Sequence, residues 1–268
     1  MAENDEKPKE KPQGKGQLTT VVIVIVCFVI GIVLGIFIQP IIMGEEDEGG
    51  TYDNFYKDLE YEPDIDPANF VDTIDNPWFP ATPGKKYIYE GQTEDGLERI
   101  EVYNTNETRI VMGVTCTVIR DTVSIGGELF EDTYDWFAQD IYGNVWYFGE
   151  DSKEFDDGEW DYSGSWEAGV DGAYPGIIMF ANPQVGVAYR QEYWEGEATD
   201  MGMVVSFGES LTVKYGSFDD LMVIRDWNPL EPEVVEHKYY AEGIGVIKEE
   251  VVFGDDPESV ELIGIEDI

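Results

Sequence analysis

The sequence predicts an all-β, antiparallel domain, a curved sheet, half-barrel or sandwich, carried behind one N-terminal transmembrane helix. Three observations lead there. Residues 18–43 form an uncharged run of 26 residues. After it come about eleven short segments rich in β-branched and aromatic residues, alternating with period two. Short connections such as Gly126-Gly127, Tyr142-Gly143-Asn144 and Glu242-Gly243 separate many of them, and no amphipathic helical period of twelve residues appears among them.

Residues 1–17 contain no apolar residues able to build a core and read as a disordered tail. Residues 18–43, as a helix, would reach roughly 39 Å, more than the ~30 Å hydrocarbon core of a bilayer. The run exceeds the 7–15 apolar residues of a signal peptide, and no small-residue cleavage site follows. Cys27 follows Val26, so it does not read as a lipoprotein cysteine. An uncleaved signal-anchor is expected at the cell membrane. Lys11 and Lys15 lie just before it, which puts the N-terminus in the cytoplasm and the C-terminal domain outside. Gly31 and Gly35 form a G-x-x-x-G pair, offering a face for a homodimer through the span.

Residues 44–75 read as an acidic linker and 76–268 as the folded extracytoplasmic domain. The chain holds 16 Lys and Arg against 57 Asp and Glu, a net charge of −41. The tail is neutral, so the whole imbalance falls after the span. Such a field repels nucleic acid and excludes it as a partner. It attracts cations and basic partners, and it keeps an exported surface soluble. Cys27 and Cys116 fall on opposite sides of the bilayer interface, so Cys116 is expected as a buried free thiol on a strand.

Two segments look alike. Val118-Ile119-Arg120-Asp121 and Val223-Ile224-Arg225-Asp226 each end a strand that a glycine turn introduces, about 105 residues apart. They mark either two related halves of a sheet or one common hairpin form.

Several stretches carry a resemblance. They are Asn76-Pro77-Trp78-Phe79-Pro80 with Pro83-Gly84 and Tyr89-Glu90-Gly91, then Asp135 to Asp140, Gly143 to Gly149, Gly216-Ser217-Phe218 and Tyr239 to Val246. Over most of 76–265 the chain resembles an uncharacterised family of exported or membrane-anchored bacterial and archaeal β proteins. That family supplies no catalytic residues. More distantly the pattern is similar to lipoprotein-carrier-like half-barrels. That similarity implies a curved sheet with a concave face for acyl chains, although this chain has a membrane helix where such proteins carry a lipobox or signal peptide.

The site candidates follow from residue type. The single histidine, His237, sits mid-strand and no G-x-S-x-G frame accompanies it, so a nucleophilic triad is not expected. Trp136, Trp146, Trp160, Trp166 and Trp194 make up the candidate aromatic patch, the first four being the chosen ligand-binding residues, with core packing as the competing role. Asp151, Asp156, Asp157 and Asp161 lie in an oxygen-rich stretch suited to calcium, although it lacks the EF-hand pattern. Asn106-Glu107-Thr108 is a glycosylation sequon on a predicted turn. The expected function is a non-enzymatic binding or envelope protein, with a lipid-like ligand on the concave face or a protein or glycan on the aromatic patch. The alternatives are a calcium-stabilised surface interaction protein and a glycosidase-like hydrolase, the latter using Asp156 or Asp157 against Glu159 or Asp161.

Overall fold

The computed structural model describes residues 61–156, 158–254 and 258–268. The tail, the apolar run 18–43 with Cys27, Gly31 and Gly35, and linker residues 44–60 lie outside the described residues. Among the described residues no helix is long and apolar enough to cross a membrane.

Seventeen strands of the described residues join in one sheet: β1 (Phe70–Val71), β2 (Lys85–Thr93), β3 (Gly96–Val111), β4 (Val114–Ile125), β5 (Glu128–Asp140), β6 (Val145–Asp151), β7 (Glu154–Asp156), β8 (Glu159–Asp161), β9 (Trp166–Glu167), β10 (Tyr174–Met179), β11 (Ala188–Arg190), β12 (Glu192–Tyr193), β13 (Met201–Thr212), β14 (Ser217–Asn228), β15 (Glu231–Ala241), β16 (Gly245–Phe253) and β17 (Ser259–Asp267). Every pairing is antiparallel. From β2 to β6 the strands pair in chain order, and from β13 to β17 they do so again. β17 returns to β2, joining the two runs on one side. On the other side β6 pairs β10, β10 pairs β12, and β11 pairs β13. The sheet thus curls into a nearly closed barrel instead of stopping as a half-barrel or stacking as a sandwich. Closure removes the exposed strand edges that an open sheet would leave.

The closing seam is short. β10 and β12 share only the pairs Tyr174↔Tyr193 and Pro175↔Glu192. β10 was not among the expected strands. Here proline sits at the second residue of a short strand, where a missing donor costs least. Gly176 is required by proximity: a Cβ there would lie 2.0 Å from the Gln191 carbonyl oxygen.

Part of the linker is bound to the barrel. Phe70 and Val71 pair with Asp140 and Gln139 of β5, and Phe70 packs edge-on against Trp146 and Phe148. Tyr61 crosses the seam from outside. Its hydroxyl donates to the Pro175 carbonyl at 2.9 Å and its ring meets Tyr193 edge-on at 5.6 Å. The Arg190 guanidinium lies 4.5 Å from the Tyr193 ring and 5.7 Å from the Tyr61 ring.

Residues 74–81 then close one mouth of the barrel. Asn76 Nδ2 donates to the carbonyls of Gly143 and Phe180, the Gln139 side-chain oxygen accepts from the amides of Asp75 and Asn76, and the Gly243 amide donates to the Pro77 carbonyl. Phe79 drops onto Phe137 with ring centres 5.2 Å apart. Beneath it Tyr87, Tyr89, Val102, Ile119, Tyr240 and Val246 line an apolar void of about 50 Å³. A space of that size holds at most a few waters. The concave face expected to receive acyl chains is filled at this end by the chain's own side chains.

Cys116 is buried and free, as its alternation with Val114 and Val118 predicts, and burial pushes its thiol up to about 12. Gly176→Ala should destabilise the barrel by about 3 kcal/mol through a backbone clash at the seam, read as a lower urea midpoint.

Candidate functional site: an aromatic cleft above an acidic lumen

Residues opposite one another on neighbouring strands share a face. Tracing that rule around the wall places a belt of carboxyls inside the barrel, away from the covered mouth. On β3 it is Glu98, on β4 Asp121, on β5 Glu131 and Asp135, and on β6 Glu150. Glu192 on β12, Asp200 just before β13, Asp226 on β14, Glu236 on β15 and Glu249 on β16 continue it. Lys238 on β15 is the only cation among these groups, 3.0 Å from Asp226 and 3.9 Å from Glu249. One ammonium cannot compensate ten carboxylates in a low-dielectric interior.

The protein meets this by keeping protons. Burial, reinforced by the acids facing it, pushes Glu131 up to about 8 and Glu98 to about 7. Burial likewise lifts Asp135 and Asp200 to about 7. Asp121, Glu150, Glu192 and Glu249 are raised well above the usual carboxylate range, burial being the largest cause in each. Glu192 and Asp200 hydrogen-bond carboxyl to carboxyl, which requires a proton between them. The Tyr147 hydroxyl donates to Asp135 at 2.8 Å and also hydrogen-bonds Glu150. Neither oxygen of Asp121, 3% exposed, has a hydrogen-bond partner.

Next to the belt, and sharing Glu150 with it, a cleft of about 310 Å³ opens in the wall, the low end of the range for small-molecule sites. Trp136 (β5), Trp166 (β9) and Trp194 supply its aromatic surface, and Glu150, Asp151, Glu167 and Asp171 its carboxyls. Arg109 of β3 lies over Trp136 with its guanidinium carbon 3.8 Å from the ring centroid, and it pairs with Glu167. The indole N–H of Trp166 is buried without a partner, while its ring stands edge-on to Tyr147 at 5.3 Å. Ser165 Oγ is engaged by both the amide and the carbonyl of Ser152. The floor loop is tight: Asp171 has φ of 49° and the Gly169 amide donates to the Ala173 carbonyl.

Of the four sequence-chosen tryptophans, two line the cleft. Trp146 instead packs under Phe70 and donates its N–H to Asp140. Trp160 lies on the exposed β7–β8 hairpin against Phe155. Trp194, also in the expected aromatic patch, does line the cleft, whereas Arg109 was missed, as was its meeting with Trp194 and Glu150. Their convergence depends on β3, β6 and the β12 end meeting, which no local spacing reports. Of the four aspartates chosen for calcium, Asp151 reaches the cleft and Asp161 is exposed on β8, accepting from the Ser163 amide. Asp157 lies outside the described residues, and Asp156 ends β7. Among the described residues no group of three or more Asp, Glu, His or Cys side chains is arranged to hold a metal ion. Glu159 and Asp161, offered for hydrolysis, are exposed on the hairpin and do not line the cleft. Asn106 is exposed, in the irregular part of β3 between Asn104 and Thr108 instead of on a turn. His237 is half-buried on β15, and burial lowers its pKa, helped by Arg225.

Fold and cleft together define the class: an antiparallel, nearly closed β-barrel with an acidic lumen and an aromatic cleft in its wall. No family model matches the chain, and no curated protein matches it. Three solved structures are similar. A candidate exported protein with a YmcC-like fold from Bacteroides fragilis is 15% identical, covering 70% of this chain and 98% of its own, with a TM-score of 0.37. A candidate lipoprotein from Parabacteroides distasonis is 12% identical over 70% and 98%, with a TM-score of 0.40. A β-barrel-like protein of a domain of unknown function from Brucella abortus is 8% identical over 69% and 97%, at 0.34. Similarity at this level says nothing of activity.

The lumenal carboxyls give stability a sign with pH. A carboxyl whose folded pKa is raised holds a proton that the unfolded chain releases. Its contribution is complete below about pH 4 and is lost as pH rises through the folded values near 7 and 8. Glu101, Asp132 and Glu250 are lowered and act oppositely, losing their contribution at strongly acid pH. Thermal unfolding should therefore show a midpoint at pH 5 about 10 °C or more above that at pH 8.

Proposed function

We propose that this protein is a non-enzymatic binding protein, held outside the cell by the span 18–43, whose wall cleft takes a small organic cation such as an amine, guanidinium or quaternary ammonium. One observation carries the reading. Arg109 already occupies one side of the cleft in the manner such a ligand would adopt, with its guanidinium over Trp136 and against Glu167. Cation–π attraction is strongest at tryptophan and grows when the pair is removed from water. Trp194, half-buried, and the carboxyls of Asp151, Asp171 and Glu150 repeat those two ingredients on the remaining surface. The net charge of −41 concentrates cations around the molecule before any contact is made.

The lipid-like ligand loses its seat in the barrel, since the apolar void there is about 50 Å³. A hydrolase reading is weakened because Glu167 is engaged by Arg109 and the acids first offered for it stand on the exposed hairpin. In this reading the Gly31–Gly35 face remains available to pair two copies in the membrane.

Calorimetric titration of the full chain with spermidine, tetramethylammonium and cellobiose tests the assignment. The two cations should bind and the neutral disaccharide should not. Trp194→Ala should weaken cation binding about tenfold with no change in fold. Binding of cellobiose with no response to either cation would replace the cation reading with a glycan one.

A further inference from the structure

The two strands of the seam run directly into the cleft. Ala173, a cleft residue, precedes Tyr174 of β10, and Trp194, another, follows Tyr193 of β12. The seam therefore forms one wall of the cleft, and of the ladders that close the barrel it is the shortest, held by two residue pairs. Its inner side carries Glu192, buried and hydrogen-bonded to Asp200. Its outer side is fastened by Tyr61, which bonds Pro175 on one strand and packs on Tyr193 of the other.

We infer that the β10–β12 seam is a proton-operated gate to the cleft: closed while Glu192 and Asp200 share a proton, opened by mutual repulsion of their carboxylates once it is lost. The gate deepens the cation-cleft reading and rests on it for its purpose, although not for its physics.

The surroundings of Glu192 favour this behaviour. From β6 it faces Glu150 and Tyr147, and Glu150 in turn faces Asp135 of β5. Behind Asp200 lie Asp226 of β14 and Glu236 and Lys238 of β15. Lys238 is bound closest to Asp226, at 3.0 Å, and leaves Glu192 uncompensated. On the outer face the only nearby cation is Arg190, which is held between the Tyr61 and Tyr193 rings. Loss of the shared proton thus puts two carboxylates in contact under a two-pair ladder, with Glu150 as a third charge on the cleft side. Buried like charges at such spacing repel strongly, and a short ladder has little with which to resist. Opening admits water to the carboxylates and widens the cleft between Ala173 and Trp194. Both effects of raised pH act in one direction, because a cationic ligand also binds better to ionised Glu150. The cleft would load at neutral to alkaline pH and release on acidification.

Hydrogen exchange on the full chain, without ligand, reads the gate directly. Between pH 5.5 and 8.5, after correction for intrinsic chemistry, exchange at residues 174–176 and 188–193 should rise about tenfold or more, while the β14–β15 ladder changes much less. The double substitution Glu192→Gln with Asp200→Asn should abolish the rise. If that variant fails to fold, Glu150→Gln, which removes one charge facing the seam, should move the rise to higher pH. A corrected seam exchange that is flat with pH, or a rise unaltered in the folded variant, overturns the gate. The two readings fail separately: a pH-dependent seam in a chain that binds no cation sinks the cleft assignment alone, and spermidine binding above a flat seam sinks the gate alone.

Discussion

Everything in this barrel depends on the cost of ionising its lumen. Ten carboxyls face one another around the wall from β3 to β16, with Lys238 as the single amine between them. An isolated buried carboxylate would exchange hydration for almost nothing, so it takes a proton instead. Protonated, Glu192 becomes a hydrogen-bond donor as well as an acceptor, and its contact with Asp200 becomes cohesive. The same atoms that close the barrel when neutral push it apart when charged. Stability, seam and cleft are therefore governed by one variable.

The two ends of the barrel solve opposite problems. At the covered mouth the wall is aromatic and aliphatic, and Phe79 and Ala81 finish an apolar core that nothing titrates. At the other end the wall is acidic and one ladder is short. Tyr61 ties these ends to the chain's path. It closes the seam from outside and stands immediately after linker residues that lead back to the predicted anchor. The clamp adds aromatic contact where backbone pairing is thinnest, between Tyr61, Tyr193 and the stacked Tyr174.

The strands themselves were readable because alternation survives even where polarity inverts. In Glu131-Asp132-Thr133-Tyr134-Asp135 the period of two is clear, yet the inward residues are the acids and threonine, and Tyr134 faces out under Arg120. A rule that puts apolar residues inside finds the strand and reverses its face. The repeated Val-Ile-Arg-Asp held more than it disclosed. Both copies fall on the second strand of a long hairpin, β4 and β14, and both aspartates, Asp121 and Asp226, turn into the lumen. That shared geometry was a signal of the belt, hidden because buried acids are ordinarily rare. Trp136, Trp166 and Trp194 were found as aromatics suited to a ligand, but the cleft needed Arg109 over Trp136, brought in by register across strands distant in sequence.

Surface and lumen charge act together. Each ionisation inside must be made against the field of the other acids, which leave the molecule strongly negative even with the lumen protonated. That field raises the proton affinity of the belt beyond what burial alone provides, and added salt screens the surface part of it within a Debye length while leaving the buried part nearly intact. The acidic exterior is thus a component of the device and more than an aid to solubility. Dilute media hold the seam protonated to higher pH, and concentrated salt lets it ionise sooner. Proton and salt concentration thus act through the lumen on the width of a single cleft.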